Sequence, residues 1–277
     1  MNINIRGKLF DLSKPKVMGI LNLTPDSFYD GGVHNEINNI ENHVNMMVED
    51  GMDILDIGGY SSKPGAKNIS VDEEMTRVIP ILKHIRKIFP DLIISIDTFR
   101  SKIASMSLDE GADMINDISG GTLDKNMMSV VSKNNCPYIL MHMQGNPQNM
   151  QNDPSYENVT LEIIQYLAQR IKIAHDNNII DLIVDPGFGF GKTLEHNFEI
   201  LNNLDKFNVL DTPILAGFSR KSMIYKTLKT SSEKALNGTS SLNTIALTKG
   251  AKILRVHDVK EAKECIILHE KTISSRF

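Results

Sequence analysis

Three side chains suited to binding polar ligands each stand at the end of a short apolar run: Asp97 after 92–96, Asn116 after 114–115 and Asp185 after 182–184. A carboxylate taken out of water needs donors, so two acids and an amide brought to one pocket imply a ligand rich in N–H groups. The edge of an aminopyrimidinone ring fits, because its amine and ring N–H can both donate to one carboxylate. A guanidinium or a metal ion also fits the acids, although a metal site wants closer clustering of His or carboxylate. The plain alternative is that each acid caps a helix or pairs with a lysine.

The opposite charges are Lys63, Lys221, Arg255 and His257, in or beside the segments that follow such runs. With Asn22 they form a set able to hold a pyrophosphate and Mg²⁺. The amide oxygen of Asn22 suits a cation that keeps most of its waters, and Arg255 can stack on a flat heterocycle while facing phosphate. His257 carries weight only through these neighbours. The other histidines show no metal-ligand spacing, and His142 is the one expected nearest the site.

Two further segments matter. GFSRKS (217–222) leaves a strand and opens a helix, where free N–H groups favour an anion such as a carboxylate; Ser219 as an ordinary cap is the alternative. DPGFGFGKT (185–193) is no nucleotide loop. A phosphate-binding loop ending at Thr193 needs glycine at Pro186, and a dinucleotide fingerprint starting at Gly187 needs glycine at Lys192. It reads as a tight loop whose glycines let the backbone approach a flat ligand, or as a simple strand-to-helix turn.

A strand–helix repeat must position these groups. The apolar runs 17–21, 54–57, 92–96, 114–115, 138–141, 182–184, 214–216 and 253–254 each end at a polar residue or glycine, and amphipathic stretches follow. Runs of this length suit strands buried on both faces, as parallel sheets require. Ser70 with Glu73 predicts a capping box opening a helix over 71–87, and further helices are expected over 155–177 and 258–271. Eightfold alternation with no interior linker predicts one domain spanning 1–277, an α/β fold of the (β/α)₈ TIM-barrel type; a doubly wound open sheet is the runner-up. In such a barrel the carboxyl ends of the strands form the catalytic face. Asn22, Asp97, Asn116, Asp185, Arg255 and His257 are therefore expected to converge on one mouth.

Composition agrees with this frame. The chain has 277 residues, 41% apolar and 23% charged, which suits a barrel-sized core. A net charge of −4 without any dense Lys/Arg run argues against a nucleic-acid partner. Cys136 and Cys265 lie far apart with no CxxC spacing and are expected to be buried thiols in a reducing compartment. The start, MNINIRGKLF, lacks the apolar stretch of a secretory signal, and no run reaches the roughly 18 apolar residues of a membrane span. The expectation is a cytoplasmic protein with no membrane partner.

Taken in order, MGILNLTPDSFYDGG (18–32), DIGGYSSKPGA (56–66), SIDTF (95–99), INDISGG (115–121), MHMQGNP (141–147), DPGFGFGKT, GFSRKS and RVHDV (255–259) resemble the dihydropteroate synthases over nearly the whole chain. The resemblance implies a pterin-binding (β/α)₈ barrel, a homodimer and sulfonamide target. Its reaction would join 6-hydroxymethyl-7,8-dihydropterin pyrophosphate to 4-aminobenzoate, giving 7,8-dihydropteroate and pyrophosphate. Carried over residue by residue, Asp97, Asn116, Met141, Asp185, Phe190, Gly217 and Lys221 would hold the pterin, with Arg255 stacked on it. Asn22 would take Mg²⁺ and, with Ser62, Lys63, Arg255 and His257, meet the pyrophosphate. The aminobenzoate would lie near Phe28, Ser62, Pro64, Phe190 and Lys221, its carboxylate toward Ser222. Asn22, Asp97, Lys221, Arg255 and His257 would be catalytic, and the long loops 24–35 and 59–68 would close over the intermediate. One departure stands out: the family usually has Ser-Thr-Arg-Pro-Gly where this chain has Ser61-Ser62-Lys63-Pro64-Gly65, so Lys63 keeps the charge without the planar fork. Tyr29 also stands where a smaller residue is usual. A pterin-dependent methyltransferase barrel would share the acid–amide pocket but would not need the TPDSF or SRKS segments. A catalytically silent pterin-binding paralogue would be expected to lack one of Asn22, Asp185, Lys221 or Arg255, and all four are in place.

Overall fold

The computed structural model describes residues 1–23, 33–61 and 68–275, with the backbone alone at 33–36. It opens with an antiparallel hairpin that the periodicity did not signal, β1 (Asn2–Ile5) and β2 (Lys8–Asp11). Each apolar run is then a strand: β3 (Lys16–Asn22), β4 (Ile54–Gly58), β5 (Ile93–Asp97), β6 (Met114–Asp117), β7 (Tyr138–Met141), β8 (Leu182–Asp185), β9 (Leu215–Ala216) and β10 (Ile253–Val256). They pair in parallel in the order β8-β7-β6-β5-β4-β3-β10-β9. A parallel bridge from Val184 to Ile214 joins β8 to the residue entering β9, so the sheet returns on itself. That closure makes a barrel and excludes the open sheet.

Helices fill the connections: α1 (Val33–Glu49), α2 (Val71–Ile88), α3 (Ser101–Asp109), α4 (Met127–Asn134), α5 (Val159–Asp176), α6 (Leu194–Asn202), α7 (Ser222–Thr227), α8 (Leu236–Thr248) and α9 (Val259–Ser274). Ser70 caps α2 as expected, its hydroxyl accepting from Glu73 N at 3.0 Å, but the Glu73 carboxylate pairs with Arg77 at 2.5 Å. α5 starts later than the expected residue 155, because Asn158 caps it through Leu161 N at 2.9 Å. Ser155 is instead tied by its backbone to the Gln144 side chain.

The side-chain period of two divides each strand into outward and inward sets. Outward residues such as Leu21, Ile57, Ile96, Leu140, Val184 and Leu254 join the large core between sheet and helices. Inward residues Met18, Ile54, Met114, Ile139, Ile183, Leu215 and Ile253 form a second core inside the barrel, and Ile3, Ile5 and Leu12 of the hairpin close it from the amino-terminal end. Beside this plug Asp113 takes four donors: Arg6 Nε, Arg6 Nη2 at 2.8 Å, Arg86 Nη2 at 2.7 Å and Ile94 N at 2.7 Å. Both cysteines are buried thiols, and burial pushes Cys136 up to about 12. Among the described residues no helix is long and apolar enough to cross a membrane.

Candidate active site

Counting inward by twos from the barrel core leads directly to the polar residues. On β3 the series is Met18, Ile20, Asn22; on β4 Ile54, Asp56, Gly58; on β5 Ile93, Ser95, Asp97; on β6 Met114, Asn116. Likewise Ile139 leads to Met141, Ile183 to Asp185, Leu215 to Gly217, and Ile253 to Arg255 and His257. The apolar residue fixes which face points in, and the pleat carries the next inward position toward the carboxyl end. Register then aligns them: Asn22 pairs with Gly58, Gly58 with Asp97, Asp97 with Asn116, and Met141 with Asp185.

Arg255 spans this layer. Its Nε donates to Asp56 Oδ2 at 2.6 Å and its Nη2 to Asp97 Oδ2 at 2.6 Å, while Asn116 Nδ2 donates to the same Asp56 oxygen at 3.0 Å. Asp56 is fully buried, and its Oδ1 has no partner among the described residues. Sequence reasoning assigned no role to Asp56. The available signal was a lone carboxylate inside an apolar run, two residues from a strand end and so on the inward face. Asp185 Oδ1 accepts Gly187 N at 2.7 Å, and among the described residues no donor reaches Asp185 Oδ2 or Asp97 Oδ1. Gly217 leaves that side open: a Cβ there would sit 3.7 Å from Asp185 Oδ2.

Lys221 occupies the N-cap position of α7 without a side-chain cap bond and donates from Nζ to Phe188 O at 2.6 Å, 4.6 Å from the centroid of the Phe190 ring. Phe190 also packs on an apolar wall of Ile118, Met141, Met143 and Met150. Ser222 begins α7, a helix of six residues, half-buried beside Lys221. Ser219 does not cap that helix. It lies under His257 instead, its Oγ 3.1 Å from Nδ1 and accepting His257 N at 3.2 Å, while the imidazole is open to the mouth.

Desolvation governs the charges here. It pushes Asp97 up to about 7, Arg255 opposing while Asp56 and Glu74 add to the rise, and it raises Asp185 against the pull of Lys221. The same effect brings Lys221 down to about 8, with Asp185 resisting. Burial works to lower Arg255 too, but Asp56 and Asp97 outweigh it and hold the guanidinium firmly charged. Partial desolvation and the Arg255 charge lower His257 to about 4.

The glycine loop makes a close approach to protein: a Cβ at Gly187 would lie 1.9 Å from His142 O, and one at Gly191 2.7 Å from Gln144 O. Both have positive φ, 74° and 62°, which side chains rarely adopt. The β8 loop is thus pressed against the β7 loop. At their seam lies a buried lysine that sequence reasoning did not assign, Lys192, bonded to His142 Nδ1 at 3.0 Å, His142 O at 3.3 Å and Phe190 O at 2.9 Å. His142, expected near the site, is this buried partner, driven down to about 2 by desolvation and then by Lys192.

Asn22, Asp97, Asn116, Met141, Asp185, Phe190, Gly217, Lys221, Ser222, Arg255 and His257 all lie at the carboxyl ends of the strands or in the segments that leave them. Phe28, Ser62, Lys63 and Pro64, and with them most of loops 24–35 and 59–68, lie outside the described residues. As a cation site, the described residues hold no group of three His, Cys, Asp or Glu. What they offer is one neutral oxygen beside a carboxylate: a Cβ at Gly58 would be 3.8 Å from Asn22 Oδ1 and 3.7 Å from Asp97 Oδ2. That donor set fits a hard cation that keeps its waters and shares a substrate's phosphates, not a protein-caged one.

Residues 18–257 match the family described as pterin binding enzyme. The dihydropteroate synthase of Escherichia coli (strain K12) is 42% identical over 278 residues, covering 100% of this chain and 98% of that protein. The fold superposes on Yersinia pestis dihydropteroate synthase, solved with a sulfonamide drug complex, at a TM-score of 0.93 and 39% identity, with 100% of both chains covered. It also superposes on Xanthomonas albilineans dihydropteroate synthase in complex with 7,8-dihydropteroate, at 0.89 and 33% identity, again over 100% of both chains.

Proposed function

Because the chain belongs to the pterin-binding enzymes, and among them to the dihydropteroate synthases, we propose that it condenses 6-hydroxymethyl-7,8-dihydropterin pyrophosphate with 4-aminobenzoate at the mouth just described. The observation that carries this reading is the spare capacity of two acids, buried Asp185 and half-buried Asp97. Asp185 Oδ2 and Asp97 Oδ1 face a polar mouth without donors of their own among the described residues, as a ligand edge with adjacent N–H groups requires.

In this reading Asp97, Asn116 and Asp185 take the pterin edge, Lys221 stands beside it, Met141, Phe190 and Gly217 shape the pocket, and the Arg255 guanidinium lies over the ring. Asn22, Arg255 and His257, with Ser62 and Lys63 of the second loop, receive the pyrophosphate. The aminobenzoate lies by Phe28, Ser62, Pro64, Phe190 and Lys221, its carboxylate toward Ser222. Mg²⁺ held by Asn22 and the phosphates would supply charge neutralisation for the departing group. The C–O bond to pyrophosphate breaks with its electron pair leaving on the phosphate oxygen, the amine nitrogen bonds to the exocyclic methylene, and the amine releases a proton. Arg255, Lys63 and His257 stabilise the leaving group, while Asp97 and Asp185 stabilise positive character in the pterin. The reading needs no side-chain nucleophile.

The same reading takes residues 1–277 as one cytoplasmic domain working as a homodimer; exposed Ile245 on α8 and Ile267, Leu268 and Ile273 on α9 support an interface there. A coupled assay of pyrophosphate release tests the central claim. Release is expected only with both substrates and Mg²⁺ present; release independent of 4-aminobenzoate, or none at all, rejects it.

A further inference from the structure

Ser219 lies in the segment between β9 and α7, is only 4% exposed, and touches His257 twice. Its Oγ accepts the backbone N–H of His257 at 3.2 Å and stands 3.1 Å from the ring Nδ1. Among the described residues Nδ1 is the one acceptor within reach of its hydroxyl hydrogen. A buried hydroxyl places its hydrogen on an available acceptor, so Ser219 donates to Nδ1, Nδ1 carries a lone pair, and the ring proton sits on Nε2. A carboxylate would reverse this by drawing a proton to Nδ1, but the nearest one is taken. Asp258 Oδ1 receives Arg220 Nη2 at 2.6 Å and its Oδ2 receives Arg220 Nε at 2.8 Å. Desolvation first, and then Arg255, Arg220 and Lys221 against Asp258, keep the imidazole neutral. With Nδ1 turned to buried Ser219, the exposed edge of the ring presents Nε2–H to the mouth.

We propose that Ser219 is a positioning residue that fixes His257 as the Nε2–H tautomer, aimed as a neutral donor at the pyrophosphate oxygens. This rests on the role given above to His257. A neutral donor strengthens its bond as negative charge grows on the leaving oxygens, and it releases the product more readily than a fixed cation would.

The test uses the full chain with ¹⁵N-labelled histidine. Wild type without ligands is expected to show His257 protonated on Nε2 and bare on Nδ1. Ser219→Ala is expected to mix the tautomers and lower kcat/KM about tenfold, the loss of one hydrogen bond that orients a catalytic group, mainly through kcat. Ser219→Thr, which keeps the hydroxyl, is expected to restore both. A wild-type ring protonated on Nδ1, or an alanine variant with an unmoved tautomer, overturns the proposal. A moved tautomer with unchanged kinetics overturns it as well, and His257→Ala then says where the fault lies. If that variant is also unaffected, the role given to His257 was wrong; if it is crippled, His257 acts without needing Ser219.

Discussion

At the amino-terminal end of the barrel Asp113 faces Arg6 and Arg86; at the carboxyl end Asp56, Asp97 and Asp185 face Arg255 and Lys221. Both clusters bury carboxylates against cations, and their hydrogen bonds differ in kind. Asp113 is saturated by two guanidinium groups and a backbone N–H, and its arginines spend their remaining donors on the carbonyls of Phe89, Pro90, Leu92 and Gly111. At the mouth, among the described residues, Asp56 Oδ1 has no partner and Asp97 Oδ1 and Asp185 Oδ2 meet no donor. A cluster that closes on itself holds a fold together. One that is left open at a cost to stability is built to be completed by something else.

The comparison breaks most visibly at Asp113. Asp113→Ala strands two arginines, one of them mostly buried, and is expected to cost about 3–5 kcal/mol, lowering the melting temperature by roughly 5–15 °C. Pterin affinity, measured by calorimetry below the transition, should stay within about threefold of wild type. Equal loss of affinity would show that the two ends are not independent.

Asp185→Asn should do the opposite. A carboxylate accepting charge-assisted bonds worth about 1.5–3 kcal/mol becomes an amide that points a donor at donors, so pterin affinity should fall roughly tenfold to a hundredfold. Stability should hold or rise. Burial raises the folded pKa of Asp185, so whatever stability this group confers is present below its unfolded pKa and is lost as pH climbs through the folded value. A lower melting temperature with intact affinity would move Asp185 into the structural class.

Lys63 sharpens the contrast from outside the described residues. Lys63→Ala is expected to slow turnover by about one to two decades while leaving affinity for a phosphate-free pterin unchanged, and Lys63→Arg to keep or improve the rate. Wild-type kinetics in the alanine variant would make Lys63 an idle loop charge.

The smallest effect is in the pH dependence. Asp97 in the free protein titrates at about 7 and Lys221 at about 8. Pterin donors need the Asp97 carboxylate, so affinity should rise by up to about tenfold per pH unit below 7, level off, and decline above 8 as Lys221 loses its proton. Calorimetric titrations between pH 6 and pH 9 read this directly; a flat profile removes Asp97 as an acceptor.

Much of this was legible in the chain because barrel strands are short apolar runs bounded by polar residues, and Asp97, Asn116 and Asp185 advertise themselves at those boundaries. Asp56, Lys192 and Ser219 did not. Asp56 lies inside an apolar run, Lys192 looks like a solvent-facing loop cation, and Ser219 like a helix cap, since each is defined by partners 38 to 199 residues away. The glycines of 185–193 predicted a close approach to a flat ligand or a simple turn, and the partner that Gly187 and Gly191 meet, the neighbouring loop at His142 and Gln144, is visible only in three dimensions.

The sequence by itself determined the repeat, the inward face of each strand and the residues at its end, because side-chain alternation and strand length are local properties. Tertiary structure decided which carboxylates keep a free oxygen. That depends on the curl of the sheet into a barrel, in which Arg255 on β10 reaches past β3 to Asp56 on β4 and Asp97 on β5, while Asp185 faces the mouth.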